Sequence, residues 1–206
     1  MQAITDLIMY FQKGGLVMWP LLACSITVIA IAIERFIYYK SVDSGAAFAY
    51  HYCAAVRSGD FAVATELARK GSGQCAQMLA DVEAVAGGKA EKSAFLESRA
   101  GIFMATLRDK LDYLGIIVTM SPLLGLLGTI VGMIGAFSIF NVEAGAPMAI
   151  TGGIGEALIA TATGLCVAIL SLCAHSYFAH RMDNMITDME QCFSALLEAE
   201  TRRGKS

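Results

Sequence analysis

Charge is scarce in this chain. Only 16% of its 206 residues are Asp, Glu, Lys or Arg, while 56% are hydrophobic, and the mean hydropathy is +0.60. A chain of this length is normally one domain, and most soluble domains carry more charge. A basic excess is missing too. A net charge of −3 leaves no cationic surface for nucleic acid. The six cysteines, Cys24, Cys53, Cys75, Cys166, Cys173 and Cys192, form no CxxC pair and no Cys/His cluster. No metal centre is expected, and the thiols read as reduced, small core residues in a cytosol-facing or intramembrane setting. Catalytic signatures are absent as well. Gly152-Gly-Ile-Gly155 precedes a helical pattern but lacks a following Lys-Ser/Thr and a preceding soluble strand, so it is no phosphate loop. There is no GxSxG and no HExxH, so nothing supports intramembrane-protease chemistry. The chain has no internal repeat and no low-complexity linker. It reads as a non-enzyme without catalytic residues and without a cofactor.

What remains is apolar and long. Gly14 to Ile33 is uncharged over 20 residues, Tyr113 to Val142 over 30, and Ala157 to His180 over 24, broken only by His175 and His180. About 20 apolar residues cross a hydrocarbon core of ~30 Å. The expected fold class is therefore all-α, a polytopic membrane protein with three transmembrane helices. The second stretch would be about 45 Å long at 1.5 Å per residue, so it should tilt or project beyond the bilayer. The first stretch differs from a cleaved signal peptide. No basic residue precedes Lys13, the apolar run is too long, and no A-x-A site follows.

Basic residues set the orientation. Of the 15 Lys and Arg residues, only Lys13 precedes the first span. Ten lie between spans one and two, from Arg35 to Lys110, and four follow span three, Arg181, Arg202, Arg203 and Lys205. The positive-inside rule then places the N-terminus outside, and the middle region and C-terminus inside. Trp19, Tyr38 and Tyr39 fit aromatic belts, and His175 and His180 read as interfacial.

The 41–112 region reads as helical. Phe61, Ala64, Leu67 and Ala68 recur at helical spacing, and Arg57-Ser-Gly-Asp60 reads as a stop, a turn and an N-cap at Asp60. Gly71-Ser-Gly73 and Gly87-Gly88 mark further breaks. Glu91 to Asp112 is periodic through Phe95, Ile102, Phe103, Leu107 and Leu111, with no Gly or Pro stop before the second span. One helix should continue from there into the membrane. His180 to Glu200 keeps an apolar stripe through Met182, Met185, Met189 and Phe193, so the third span should extend past the bilayer as well.

Chemistry concentrates in spans two and three. Ser121, Gly125, Gly128, Gly132 and Gly135 recur at offsets of three and four, and Gly153, Ala157, Ala160, Gly164, Ala168 and Ser171 form a similar stripe. Small residues let membrane helices approach closely, within a subunit or between subunits. Gly125, Gly128, Gly132, Ala160 and Gly164 are the helix-packing candidates. Glu156 is the only Asp, Glu, Lys or Arg between Val142 and Arg181 apart from Glu143. An ionisable group costs roughly 2.5 to 3.5 kcal/mol at a bilayer centre, so one that persists usually faces an ion path or a partner. The bland alternative is a fixed hydrogen bond near the outer boundary. Thr129 and Thr161 lie in the glycine- and alanine-rich faces, where a hydroxyl can relay a proton, hold a water, or bond its own preceding turn. Glu156 and Thr163 are seven apart and share a face, with Thr161 off to its side.

Two strings carry a resemblance. Met-Ser-Pro-Leu-Leu-Gly-Leu-Leu-Gly-Thr-Ile-Val-Gly-Met-Ile at 120–134 resembles the second-span motif of the ExbB/TolQ/MotA proton-channel family, and Ile-Gly-Glu-Ala-Leu-Ile-Ala-Thr-Ala-Thr-Gly-Leu at 154–165 resembles its third-span motif. Chain length fits the ExbB or TolQ branch, with ExbB favoured. The resemblance implies a pentameric ring in the bacterial inner membrane. Its pore would hold single helices from two copies of an ExbD- or TolR-like partner, whose Asp carries the proton, and the work would pass to a TonB- or TolA-like protein. By the same resemblance Thr129, Glu156 and Thr161 line the proton pathway. Members such as ExbB often carry a Pro near the position of Leu170, which this chain lacks. The implied division is 1–13 periplasmic, 14–39 first transmembrane helix, 40–112 cytoplasmic and helical, and 113–142 second transmembrane helix. A periplasmic loop at 143–150, a third transmembrane helix at 151–179 and a cytoplasmic extension at 180–206 complete it.

Overall fold

The computed structural model describes the backbone of residues 14–142 and 147–203 and the side chains of 14–138 and 151–202. The expected outer segment 1–13 and residues 143–146 of the expected outer loop lie outside them. The described residues form seven helices: α1 (Met18–Val42), α2 (Ala46–Ser58), α3 (Phe61–Lys70), α4 (Gln74–Val82), α5 (Lys89–Arg108), α6 (Leu111–Val142) and α7 (Pro147–Arg203). No strand occurs among them. Three helical stretches are long and apolar enough to cross a membrane. The protein is an all-α membrane protein.

Its residues pack as two units. One holds the described residues up to Ile33 together with Asp112–Ser176; the other holds Glu34–Leu111 with the described residues from Tyr177 on.

The first unit consists of the apolar lengths of α1, α6 and α7. Pro20 sits in the first turn of α1, where its missing N–H costs nothing. Pro122 lies inside α6 and leaves the Val118 carbonyl without its donor from position 122. Buried Val17, Met18 and Leu21 cluster with Leu124 of α6 and Ile159 of α7. Helix α7 begins at Pro147, inside the stretch 143–150 expected as a loop, and runs unbroken for 57 residues, past Leu170. Cys166 and Cys173 are exposed and Cys24 is partly exposed, so these three are not core residues. In lipid, an exposed thiol is as well accommodated as a buried one.

The second unit has a conventional core. It comprises Tyr52, Cys53 and Val56 of α2, Met78, Leu79 and Val82 of α4, Leu96, Phe103 and Leu107 of α5, and Met189 and Cys192 of α7, all under a tenth exposed. The Cys53 and Cys192 sulfurs are 3.9 Å apart. Burial, with Cys192 beside it, pushes the Cys53 thiol up to about 11, and burial likewise raises Tyr52. Both stay protonated and serve as packing groups. Gly59 takes the left-handed φ of 82° that ends α2, and the Asp60 carboxylate accepts the Val63 N–H at 3.2 Å to start α3. The Glu91 carboxylate accepts the Gly88 N–H at 2.9 Å ahead of α5. The buried stripe of α5 runs through Leu96, Ala100, Phe103 and Leu107, whereas Ile102 is 65% exposed. A stripe at spacings of four, three and four leaves position 102 on the far side.

The helix expected to continue from 91 into the second span instead breaks at Asp109–Lys110. The reason lies 70 residues upstream. The last turn of a helix exposes carbonyls without intrahelical donors. Here the Arg35 guanidinium donates to Thr106 O at 3.0 Å and the Tyr39 hydroxyl donates to Leu107 O at 3.0 Å. Arg35 is 4% exposed, is held by Glu34 at 2.7 Å, and stacks over Tyr38 with 4.8 Å to the ring centre. Glu34 also takes Lys110 at 3.2 Å. Tyr39, read from sequence as an interfacial belt residue, is 2% exposed and caps a helix instead.

Candidate functional site

The site candidates from the sequence all fall in the first unit, where α6 and α7 touch backbone to backbone. A Cβ added to Gly164 would lie 2.5 Å from the Ser121 carbonyl oxygen, and one on Gly128 would lie 2.5 Å from the Ala160 Cβ. At Gly125 the neighbour is the Thr161 Cα at 3.1 Å, and at Gly132 the Gly153 carbonyl at 3.1 Å. Gly125, Gly128, Gly132, Ala160 and Gly164 thus form one seam inside a single chain. Without a hydrophobic drive between helices in lipid, such close contact is what holds a helix pair together. Further along the seam, the buried Ser171 hydroxyl donates to Leu114 O at 2.9 Å. Ser121 is fully buried and its hydroxyl has no hydrogen-bond partner among the described residues.

Thr161 sits in this seam. Its hydroxyl bonds across the helices, donating to Gly125 O at 3.1 Å. Thr129 is half-buried and bonds within its own helix, donating to Leu126 O at 2.7 Å. One residue past Gly128 is a 100° turn, which carries Thr129 off the seam. Thr163 likewise turns back, to Ile159 O at 2.8 Å. Each hydroxyl has spent its single proton on a carbonyl and keeps lone pairs that accept.

Glu156 points elsewhere. The half-buried carboxyl lies over Gly15, so close that a Cβ at Gly15 would be 1.8 Å from the Glu156 Oε1. Gly15 has φ +70°, a conformation that other L-residues adopt only at a cost. The chain just before α1 therefore turns under the carboxylate of α7. The structure brings Glu156 to Gly15 and Thr161 to Gly125, and neither threonine donates to Glu156. Gly15 escaped sequence reasoning because positive φ leaves no periodic signal. Among the described residues 14–33, 113–142 and 147–176, Glu156 is the sole Asp, Glu, Lys or Arg. Its field inside an apolar layer is opposed by no other charged side chain of those stretches. No group of three or more metal-ligating side chains occurs among the described residues.

Similarity to known proteins covers this same region. The profile of the MotA/TolQ/ExbB proton channel family matches residues 72–191, more than half of the chain and all of the seam. The biopolymer transport protein ExbB-like 1 of Synechocystis is 34% identical over 170 residues, 79% of this chain and 66% of that protein. Biopolymer transport protein exbB1 of Vibrio cholerae is 27% identical over 186 residues, 87% of this chain and 82% of that protein. The Tol-Pal system protein TolQ of Pseudomonas aeruginosa is 36% identical over 81 residues, 39% of this chain and 35% of that protein.

Proposed function

Because the chain belongs to the MotA/TolQ/ExbB proton channel family, we propose that it is the ring-forming subunit of a proton-driven inner-membrane motor of the ExbB type. With an ExbD-type single-span partner it would energise TonB-dependent outer-membrane transport. The observation that carries this reading is the lone carboxyl of Glu156 in an otherwise uncharged helix layer, on the helix that also presents Thr161. A carboxyl and hydroxyls hydrate such a layer and set the field around a moving proton. The partner's Asp carries the proton, and Glu156, Thr129 and Thr161 border its path in a pentamer. The driving force suffices in scale, at ~2.3 kcal/mol per charge per 100 mV. In this arrangement 14–39, 113–142 and 151–179 cross the bilayer, the N-terminus is periplasmic, and 40–112 and 180–206 are cytoplasmic. A cysteine near Gly88 would then resist labelling from outside in intact cells.

Two further readings have an observation each. The likeness to TolQ over 81 residues favours a TolQ-type subunit of the Tol-Pal system, with a TolR-like partner and a TolA-like output. The commitment of the Thr129 and Thr161 hydroxyls to backbone carbonyls favours a scaffold that stabilises its partner and conducts nothing. Proton transfer in liposomes holding the complex with its partner separates them. Glu156→Ala and Thr161→Val should abolish transfer while partner binding persists. Full transfer in both variants sinks the channel-lining role. Rescue by an ExbD-type or a TolR-type partner decides between the two systems.

A further inference from the structure

In the second unit, α1 and α7 line a half-open pocket of about 300 Å³ bounded by Phe36, Tyr39, Lys40, Tyr177, Phe178 and Arg181. Three features of it point to one ligand class. The first is charge. Lys40 makes no ion pair among the described residues, and Arg181 spends one donor on Asp43 at 2.8 Å, leaving most of its fork free. The second is the wall. Phe36 is 54% exposed and Tyr177 52% exposed, and Tyr39 and Phe178 meet edge-on at 5.6 Å behind them. Aromatic rings beside cations suit the boundary between acyl chains and headgroups. The third is depth. Lys40 stands seven residues past Ile33, where the uncharged stretch of α1 ends, which is about 10 Å along a helix. Arg181 is the first Asp, Glu, Lys or Arg after Glu156 on α7.

We propose that this pocket binds the phosphodiester headgroup of an anionic phospholipid, with Lys40 and Arg181 on the phosphate and Phe36 and Tyr177 beside the glycerol ester. A singly charged phosphodiester fits better than a free phosphate, because the Asp43 carboxylate already on Arg181 opposes additional negative charge. Basic pockets between membrane helices are known to take lipid headgroups. The inference requires only that α1 and α7 cross a bilayer; it holds whether or not the protein conducts protons.

Native mass spectrometry of the full-length protein in detergent tests it, with phosphatidylglycerol, phosphatidylcholine or inorganic phosphate added. Wild type should retain phosphatidylglycerol and not phosphatidylcholine. Lys40→Gln, at an exposed position, should retain it about fivefold less, the equivalent of about 1 kcal/mol for one cation near an anionic surface. Arg181→Gln should lower retention further, and phosphatidylglycerol should raise the melting temperature of wild type more than that of either variant. Equal retention of both lipids would mean an unselective lipid shell and overturns the proposal. Displacement of the lipid by inorganic phosphate would mean a soluble-anion site and overturns it equally, as does unchanged retention in Lys40→Gln.

Discussion

The two units of this chain are held together in opposite ways. In the first, helices α6 and α7 meet where side chains are missing, and backbone lies on backbone at Gly125, Gly132 and Gly164. In the second, helices meet where side chains are large: Leu79, Leu96, Leu107 and Met189 are at most 1% exposed. Its periphery carries ion pairs, such as Lys92–Glu200 at 2.8 Å and Arg99–Asp81 at 3.0 Å. The difference follows from the solvent. Water rewards removal of apolar area at roughly 25 cal/mol per Å². Lipid gives no such reward, so the first unit relies on close contact and interhelical hydrogen bonds. One unit should therefore fail when atoms are added, and the other when atoms are removed.

The largest effect is expected at Gly164. Gly164→Ala places a methyl 2.5 Å from a backbone oxygen that cannot rotate away, and overpacking of this kind should cost about 3 kcal/mol or more. Thermal unfolding in detergent should show the loss, and an unchanged melting temperature would mean that α6 and α7 do not meet at this seam. The mirror experiment is Met189→Ala, which empties the core of the second unit and should cost about 3 kcal/mol. If Met189→Ala is silent while Gly164→Ala is severe, the bundle core is looser than its burial indicates. Next comes Gly15→Ala. Its φ of +70° costs about 1 to 2 kcal/mol for an L-residue, and the new methyl displaces the Glu156 carboxyl. Gly45→Ala is the control, since its φ is +82° as well but nothing lies within 4 Å of the new methyl. A Gly15→Ala protein as stable as Gly45→Ala would remove the contact with Glu156 from the account.

Smaller effects sharpen the contrast. Tyr39→Phe deletes the hydroxyl that holds Leu107 O at 3.0 Å and should cost about 1 kcal/mol, with faster amide exchange around Asp109–Lys110. Equal exchange in both proteins would mean that Arg35 alone secures the break. The smallest effect concerns Asp188. Partial burial, and then the Asp43 charge, raise its carboxyl above the ordinary 3.8. The folded state therefore binds this proton more tightly than the unfolded one. Stability is full below the ordinary value and declines as pH rises through the raised one. Asp188→Asn should remove that decline and add well under about 1 kcal/mol at neutral pH, since solvent screens the group. A steeper decline in the variant would reverse the assignment.

Much of this was legible in one dimension. The apolar stretches predict three spanning helices because their length matches a bilayer, and the 3.6-residue repeat of small residues marks the seam through Gly128 and Ala160. Asp60 was readable as a cap because capping is local in sequence. Ile102 was misread because Phe103, Ile102 and Phe95 are all apolar, and only the neighbouring helices decide which side is inside. The stop at Arg108 was invisible because its carbonyls are satisfied by Arg35 and Tyr39, side chains that carry no sequence mark of that task.

The sequence by itself determined the solvent, the three spanning stretches and the family, since length, charge scarcity and the motifs at 120–134 and 154–165 are properties of the string. Tertiary structure decided partners. It turned the carboxyl of Glu156 onto Gly15, sent the Thr161 hydroxyl across to Gly125 while Thr129 stayed within its own helix, and buried Arg35 against the end of α5. Hydrogen bonds and close contacts act over about 3 Å between residues as many as 141 positions apart, and such pairings exist only once the helices have packed.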